Sequence, residues 1–136
     1  LALLGRLAPR PVDPAYRHQL LEQLVLPPAD LGRKLREYSS GMKRKLGIVQ
    51  AFQADPPLLI LDEPTEGLDP IMQESFYRLL SDVRARGRTV FLSSHILSEV
   101  ERVCDRIAVL RRGELALLAS KQAPAAPYPA GYIAHG

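Results

Sequence analysis

The stretch LLILDEPTEGLDP, residues 58–70, carries the pattern that decides the fold. It starts with a short, continuously apolar run, residues 58–61, of the kind that fits a β-strand buried on both faces. Asp62 and Glu63 follow directly, and Pro64 fixes the turn after them. Carboxylates at such a position are costly to desolvate unless a cation or a bound water receives their charge. The stretch therefore predicts a buried strand that delivers two acidic side chains to a chemically active edge.

Helical patterns precede this strand, and strands alternate with helices after it. Asp13 followed by Pro14 is a helix-start signal, and the pair Asp69–Pro70 repeats it. Apolar residues then recur at helical spacing, whereas short apolar runs mark the strands. The predicted helices cover residues 14–26, 41–53 and 96–103 and a stretch from residue 70 that stops at Gly87, and the predicted strands cover residues 58–61, 89–92, 106–110 and 114–118. This alternation predicts an α/β fold, with a parallel or mixed sheet flanked by helices and reactive groups at the carboxyl ends of the strands.

Composition and charge set limits on the function. The chain has 136 residues, of which 46% are hydrophobic and 24% charged, as is usual for one soluble globular domain. The pI of about 9.2 permits contact with phosphates or an anionic membrane surface but requires neither. Cys104 is the single cysteine, which excludes an intrachain disulfide, and its apolar surroundings predict a buried thiol. No apolar run approaches the roughly 20 residues of a membrane-spanning helix.

The two adjacent carboxylates suggest a division of labour. Side chains alternate along an extended chain, so Asp62 and Glu63 point in different directions. One could hold a magnesium ion through its water shell while the other orients an attacking water. The alternative is that the pair is only a solvated strand exit or a helix cap, which is the better interpretation for an isolated Asp-Glu dipeptide. In the same way, His95 alone fits a hydrogen-bonded residue near a helix start.

Three motifs that follow one another along the chain favour the catalytic interpretation of these residues over the structural one. They are YSSGMKRKLG (residues 38–47), LLILDEPTEGLDP, and FLSSHILSEVERVCDRIAVLRRGEL (residues 91–115). They resemble, respectively, the signature motif, the Walker B strand with the D-loop, and the switch-histidine segment of ATP-binding cassette (ABC) ATPases. The resemblance covers nearly all of residues 1–115. It implies a partial P-loop NTPase-like fold and an ATP-hydrolysing subunit of an ABC transporter.

The resemblance assigns catalytic roles to the residues at the strand ends. It implies that Asp62 helps to hold Mg²⁺, that Glu63 polarises the hydrolytic water, and that His95 contacts the γ-phosphate and stabilises the transition state. These roles make physical sense, because phosphoryl transfer depends mainly on positioning and charge stabilisation. ATP and Mg²⁺ are the implied cofactors.

The signature segment is implied to act on nucleotide bound to the opposite subunit. Ser39, Ser40 and Gly41 stand where a helix begins, and the N–H groups and positive dipole end of a helix suit a phosphate. Asp69 in the D-loop is implied to communicate across the same interface. Ser40 stands where the family often has glycine, and Met42 where glutamine is common. The YSSGM form resembles a branch that pairs with bacterial exporter permeases.

The resemblance also implies the domain organisation and the partners. Residues 1–53 correspond to the helical signature subdomain, residues 54–118 to part of the RecA-like core, and residues 119–136 to a Pro/Ala-rich tail without fixed structure. The implied partners are a second ABC ATPase subunit, arranged head to tail, and a membrane permease. The implied location is cytoplasmic, at the inner face of the cell membrane. The chain has no G-x-x-x-x-G-K-[ST] sequence, so it is interpreted as the C-terminal part of a longer ATPase and as inactive alone.

Two other functions stay open at this point. The chain could act as a dimerisation or regulatory module that completes a partner's ATP site. It could also belong to a cassette ATPase that acts on nucleic acid, which the basic pI favours slightly. However, Lys43, Arg44 and Lys45 lie on a helix that keeps its apolar stripe. We therefore interpret them as a solvated face, and we do not expect nucleic acid as a partner.

Overall fold

The computed structural model describes residues 11–121 and the backbone of residues 131–135. The described α-helices are α1 (Pro14–Gln23), α2 (Ser40–Phe52), α3 (Pro70–Ala85) and α4 (Leu97–Val103), and the strands are β1 (Leu58–Asp62), β2 (Thr89–Ser93), β3 (Arg106–Arg111), β4 (Glu114–Ser120) and β5 (Gly131–His135). Two short 3₁₀ helices, Pro28–Gly32 and Leu35–Glu37, lie between α1 and α2. The predicted α/β class is confirmed.

The helices begin at the residues that the sequence signals. The Asp13 carboxylate accepts the Ala15 N–H at 2.9 Å and caps α1, and the Asp69 carboxylate accepts the Met72 N–H at 3.0 Å and caps α3. Helix α1 ends earlier than predicted, because the backbone enters the left-handed region at Val25 (φ 48°). In the part of the chain that the structure describes, no helix is long and apolar enough to cross a membrane.

The strands form one mixed sheet in the order β1-β2-β5-β3-β4. Strands β1, β2, β5 and β3 are parallel neighbours, and β3 and β4 form an antiparallel hairpin. The hairpin turns at Arg112 and Gly113, both of which have positive φ. The pairing of β1 with β2 places Asp62 beside Ser93. Because both strands run in the same direction, their carboxyl ends lie at one edge of the sheet.

The prediction that residues 119–136 lack fixed structure is wrong for Ala119 and Ser120, which end β4, and for Gly131–His135. Gly131–His135 form β5, which pairs in parallel with both β2 and β3. Tyr132 and Ile133 favour strands. Residues 131–133 pair with β2, and residues 133–135 pair with β3. The low charge and the prolines that suggested a tail do not reveal this pairing. The predicted tail residues 122–130 and 136 lie outside the described residues.

The prediction that β1 is buried on both faces is also wrong for the described residues. Leu59 and Leu61 are buried, but Leu58 is 50% and Ile60 is 72% exposed. Side chains alternate between the two faces of a strand, and the described part of the chain packs against only one of them. β1 is also the edge of the sheet.

The chain divides into two compact units, Leu1–Pro56 with Thr65–Leu79, and Pro57–Pro64 with Leu80–Gly136. The first unit has a core that includes Leu20, Leu24, Val49, Phe52 and Phe76, all fully buried. The rings of Phe52 and Phe76 meet edge to face with centroids 6.3 Å apart. The second unit buries one side of its sheet with Val90 and Leu92, together with Val83, Val100 and Cys104.

Cys104 follows α4 and is 2% exposed, so the predicted buried thiol is confirmed. Burial raises the pKa of this thiol to about 11, because desolvation disfavours the thiolate. The negative charge of Asp105 raises this pKa further, whereas the Arg84 guanidinium opposes the shift. Arg84 donates to both oxygens of the Asp105 carboxylate.

Replacing Phe76 tests the core of the first unit. We expect Phe76→Ala to lower the free energy of unfolding by ~3–5 kcal/mol, because the cavity of a fully buried ring cannot collapse completely. Ile71, on the same helix, is 76% exposed and serves as the control: Ile71→Ala should change stability by less than ~0.5 kcal/mol. Chemical denaturation measures both, and equal losses would contradict this packing.

The raised pKa of Cys104 leads to a second prediction, which concerns the pH dependence of stability. Because the folded-state pKa lies above the ordinary value of 9.0, the stabilising contribution of this group is complete below about pH 9 and is lost as the pH rises towards 11. Cys104→Ala should remove this part of the alkaline loss of stability. At pH 8, iodoacetamide should label the denatured chain much faster than the native chain, as mass spectrometry would show.

Candidate functional site

The Ser93 hydroxyl connects the two carboxylate residues at the end of β1. It donates a hydrogen bond to Asp62 Oδ1 and accepts one from the Glu63 N–H at 3.1 Å. Ser93 is the last residue of β2 and is 8% exposed. A single buried hydroxyl therefore orients the Asp62 side chain and fixes the Glu63 backbone.

Glu63 needs this support because its backbone is unusual. Its φ of 43° lies in the left-handed region, which residues other than glycine seldom adopt. The bond from its N–H to Ser93 holds the turn that ends β1. Pro64 and Thr65 follow as buried residues. The local structure thus redirects the chain within one residue of the strand end.

Glu63 and His95 form a pair within the second unit. Glu63 Oε2 lies 3.0 Å from His95 Nδ1, and the side chains are 26% and 63% exposed, respectively. His95 follows β2 and precedes α4. When the imidazole is neutral, a proton on Nδ1 bonded to the carboxylate leaves Nε2 as an acceptor, and when it is charged both nitrogens donate. The structure therefore brings the two predicted catalytic side chains together.

Asp62 is suited to hold a magnesium ion that arrives with phosphates. The residue is exposed, and Ser93 occupies one of its oxygens. Residues 11–121 contain no group of three or more His, Cys, Asp or Glu side chains that could hold a metal ion by themselves. Mg²⁺ is commonly bound through one or two carboxylates, several waters and substrate phosphates. A single exposed carboxylate fits that ligand set.

The residues predicted to form the signature motif lie in the first unit, at the start of α2, which we call the signature helix. Ser39 is the N-cap, and its hydroxyl accepts the Met42 N–H at 3.1 Å. The helix begins at Ser40, so Ser40 and Gly41 provide the first N–H groups, which have no acceptor within the helix. A Cβ atom at Gly41 would lie 3.8 Å from the Gly67 carbonyl oxygen, an ordinary contact distance. Ser39 and Ser40 are exposed at this helix end.

The D-loop, defined here as residues 66–69, contacts the signature helix within the same unit. Arg44 Nε donates to the Glu66 carbonyl oxygen at 3.0 Å, and Arg44 Nη2 lies 3.1 Å from Glu66 Oε2. At the other end of the loop, the Asp69 carboxylate caps α3. The loop is therefore held at both of its ends.

Residues 43–45 lie on a partly exposed face of α2, and two of the three side chains also have partners elsewhere in the chain. Lys43 is exposed, but Arg44 bonds to Glu66, and Lys45 Nζ donates to the Val25 carbonyl oxygen at 3.4 Å. Helical periodicity separates apolar from polar positions, yet it does not show which polar side chains find a partner far along the chain.

Ser93 was not singled out from the sequence. The available signal is its place at the end of the second predicted strand, because neighbouring parallel strands bring their carboxyl ends together. That signal requires the register of β1 against β2, which places Asp62 opposite Ser93.

Comparison with known proteins identifies the family of the chain. The model of the family described as "AAA domain, putative AbiEii toxin, Type IV TA system" matches residues 9–101, more than half of the chain. "Uncharacterized ABC transporter ATP-binding protein all4389" from Nostoc sp. is 47% identical over 98 residues, which are 71% of this chain and 29% of that protein. The chain belongs to the ATP-binding cassette ATPases and carries this AAA domain.

Two further ABC proteins extend the comparison. "Nod factor export ATP-binding protein I" from Rhizobium johnstonii is 48% identical over 80 residues, 59% of this chain and 26% of that protein. A solved "Structure of ATP binding subunit of ABC transporter" is 32% identical, with a TM-score of 0.78 over 88% of this chain and 50% of that one. The P-loop NTPase fold of ABC ATPases is thus confirmed, although the chain spans less than a third of the length of these curated relatives.

Removing the Ser93 hydroxyl tests its bridging role. In Ser93→Ala, the Glu63 N–H loses its acceptor, which should cost ~1–3 kcal/mol of stability and accelerate hydrogen exchange at the Glu63 amide. Ser93→Thr keeps a hydroxyl and should retain the protection. Ser81 on α3 is exposed, so Ser81→Ala is the control. If Ser93→Ala left exchange at Glu63 unchanged, the hydroxyl would not be holding the turn.

Proposed function

We propose that the chain is the part of an ABC transporter's ATP-binding subunit that supplies the hydrolytic carboxylate, the switch histidine and the signature helix. The observation that carries the proposal is the 3.0 Å pair of Glu63 and His95 beside Asp62. In this family, ATP hydrolysis needs an acidic residue near the attacking water and polar groups around the γ-phosphate. The proposal is supported by an acidic and an imidazole side chain that lie together at one sheet edge.

The chemistry assigns one task to each side chain. Mg²⁺ bound with ATP neutralises charge on the phosphates, and Asp62 would help to hold this ion through its free oxygen. Glu63 would orient the attacking water and accept its proton. His95, whose Nδ1 faces Glu63, would direct Nε2 towards the γ-phosphate. Ser93 would keep Asp62 and Glu63 in place without touching the nucleotide.

The signature helix would act on a second subunit. The open N–H groups at Ser40 and Gly41, together with the helix dipole, suit a phosphate. Ser39 would support this helix end through its cap to Met42. We propose that two ABC ATPase subunits meet head to tail, so that this helix end contacts nucleotide bound to the partner, with Asp69 in the D-loop at the same interface.

Export is the proposed direction of transport. It is supported by the relatives named Nod factor export ATP-binding protein I. A helical subdomain at residues 1–53 would couple the core at residues 54–118 to a membrane permease, and the subunit would lie on the cytoplasmic face of the membrane. The sequence has no G-x-x-x-x-G-K-[ST] loop, so hydrolysis would need a phosphate-binding segment from outside these residues.

The test uses a restored cassette, in which this sequence follows an upstream segment that carries the phosphate-binding loop. Glu63→Gln should lower turnover at least ~100-fold, because general-base assistance is lost, while ATP binding persists. His95→Ala should also lower turnover strongly. A steady-state phosphate-release assay measures turnover, and equilibrium nucleotide binding is measured in parallel.

Two matched variants control for the loss of a charge or a ring. Glu101 is exposed on α4, so Glu101→Gln repeats the chemical change away from the site. His18 is exposed and paired with Glu22 on α1, so His18→Ala serves the same purpose. Both controls should retain turnover. Unchanged turnover in Glu63→Gln and in His95→Ala would refute the assigned chemistry.

A dimerisation or regulatory module is the second candidate, favoured by the helix N-terminus that Ser39 caps at the start of α2, which could act on a partner's nucleotide. In that case, the unmodified chain would bind an intact cassette subunit and change its ATPase rate. Co-purification with the Nostoc relative, with and without MgATP, would reveal such binding. Failure to associate under both conditions would rule out this candidate.

A further inference from the structure

The contact between Arg44 and Glu66 joins two segments that are 22 residues apart in sequence. One arm of the guanidinium donates to the main-chain carbonyl of Glu66 at 3.0 Å, and the other lies 3.1 Å from its carboxylate. Both segments belong to the first compact unit. The bond to the carbonyl fixes the backbone of the loop, which a bond between two side chains would not do.

The two arms of this contact restrain different parts of Glu66, one the backbone and the other the side chain. The Glu66 side chain is 66% exposed, whereas the Arg44 side chain is 33% exposed. Exposed ion pairs contribute little because water and salt screen them. The bond to the carbonyl oxygen acts on the loop backbone directly, whereas the carboxylate is joined to the backbone through an exposed side chain. We therefore assign most of the restraint to the bond between Arg44 Nε and the Glu66 carbonyl.

The loop after Glu66 makes a tight turn before the buried Leu68 side chain. Gly67 has a φ of 74°, and nothing lies within 4 Å of the position of a Cβ there. The Leu68 N–H donates to the Thr65 carbonyl at 3.0 Å and closes the turn. Asp69 then starts α3. Arg44 thus anchors the near end of a segment whose far end is anchored by a helix cap.

The surroundings of Gly41 also show that the D-loop lies against α2. A Cβ at Gly41 would lie 3.8 Å from the Gly67 carbonyl oxygen, so the start of α2 and the D-loop are close neighbours. The Arg44 bond lies about one helical turn further along α2. A change in the Arg44 contact would therefore alter the spacing between Gly41 and the loop.

We propose that Arg44 is a positioning residue that fixes the D-loop, residues 66–69, against the signature helix, so that both reach a partner's nucleotide in one fixed arrangement. This rests on the proposed function for its catalytic consequence, but not for the restraint itself. The guanidinium acts through the loop and does not touch the nucleotide.

The experiment compares Arg44→Ala, Arg44→Lys and Lys43→Ala in the restored cassette. Lys43 is exposed and adjacent, so its removal subtracts the same charge without breaking the contact. Hydrogen exchange of the nucleotide-free protein reports on the Leu68 amide. We expect at least about tenfold faster exchange in Arg44→Ala, no change in Lys43→Ala, and only partial protection in Arg44→Lys, since lysine cannot reproduce the two-armed contact.

ATPase kinetics give the second measurement. We expect Arg44→Ala to lower kcat about fivefold or more. The KM for ATP should change by less than about twofold, because the substitution removes no side chain that contacts the nucleotide. A merely structural role would reduce the amount of folded enzyme but leave the kcat of the folded fraction unchanged. Circular dichroism and active-site titration establish that fraction.

Each outcome decides the proposal. Unchanged Leu68 exchange in Arg44→Ala would overturn the restraint. Faster exchange with kcat equal to that of Lys43→Ala would overturn its catalytic role. If the unsubstituted cassette hydrolyses no ATP, the proposed function fails while the exchange result still decides the restraint. Glu66→Gln, which keeps the carbonyl, should retain most of the Leu68 protection and so distinguishes the two arms.

Discussion

The parallel register of β1 against β2 is the constraint on which the candidate catalytic geometry depends. It sets Asp62 opposite Ser93 and allows one hydroxyl to bond to Asp62 and to the Glu63 backbone. A slip of one residue would invert every side chain of a strand between the two faces of the sheet. Ser93 would then point away from Asp62, and the turn at Glu63 would lose its support. Buried Leu59 and Leu61 oppose such a slip, so the hydrophobic core secures the polar site.

The residues of the motif at 58–70 are divided between the two compact units. Asp62 and Glu63 belong to the unit that contains β2 and His95, whereas residues 66–69 belong to the unit that contains the signature helix. This division follows the contacts: Ser93 and His95 hold the first part, and Arg44 holds the second. In the proposed function, chemistry on the subunit's own nucleotide and contact with a partner's nucleotide would thus be supported by different sets of bonds. One continuous sequence motif does not imply one continuous structural element.

Local signals allowed most of the elements and the site carboxylates to be predicted from the sequence. Asp13, Ser39 and Asp69 begin helices because their side chains accept the first free N–H groups, and apolar runs marked the strands. The bonds that sequence reasoning missed are long-range: Ser93 to Asp62 and Arg44 to Glu66 span 31 and 22 residues. Strand β5 was missed for the same reason, since its neighbours β2 and β3 are remote in sequence. Such pairings depend on register and topology, which local periodicity does not encode.

Glu63 differs from the other residues with a similar φ in its position in the fold. Among the described residues other than glycine, Val25, Asp55, Glu63 and Arg112 have positive φ. Val25 and Asp55 follow helices and Arg112 turns a hairpin, where left-handed residues commonly end an element. Glu63 instead follows a strand, and its side chain meets His95. Strained residues persist where surrounding bonds determine them and often serve a functional site. The Ser93 hydroxyl supplies such a bond, so the conformational cost at Glu63 supports the assignment of this turn to catalysis rather than to chain reversal alone.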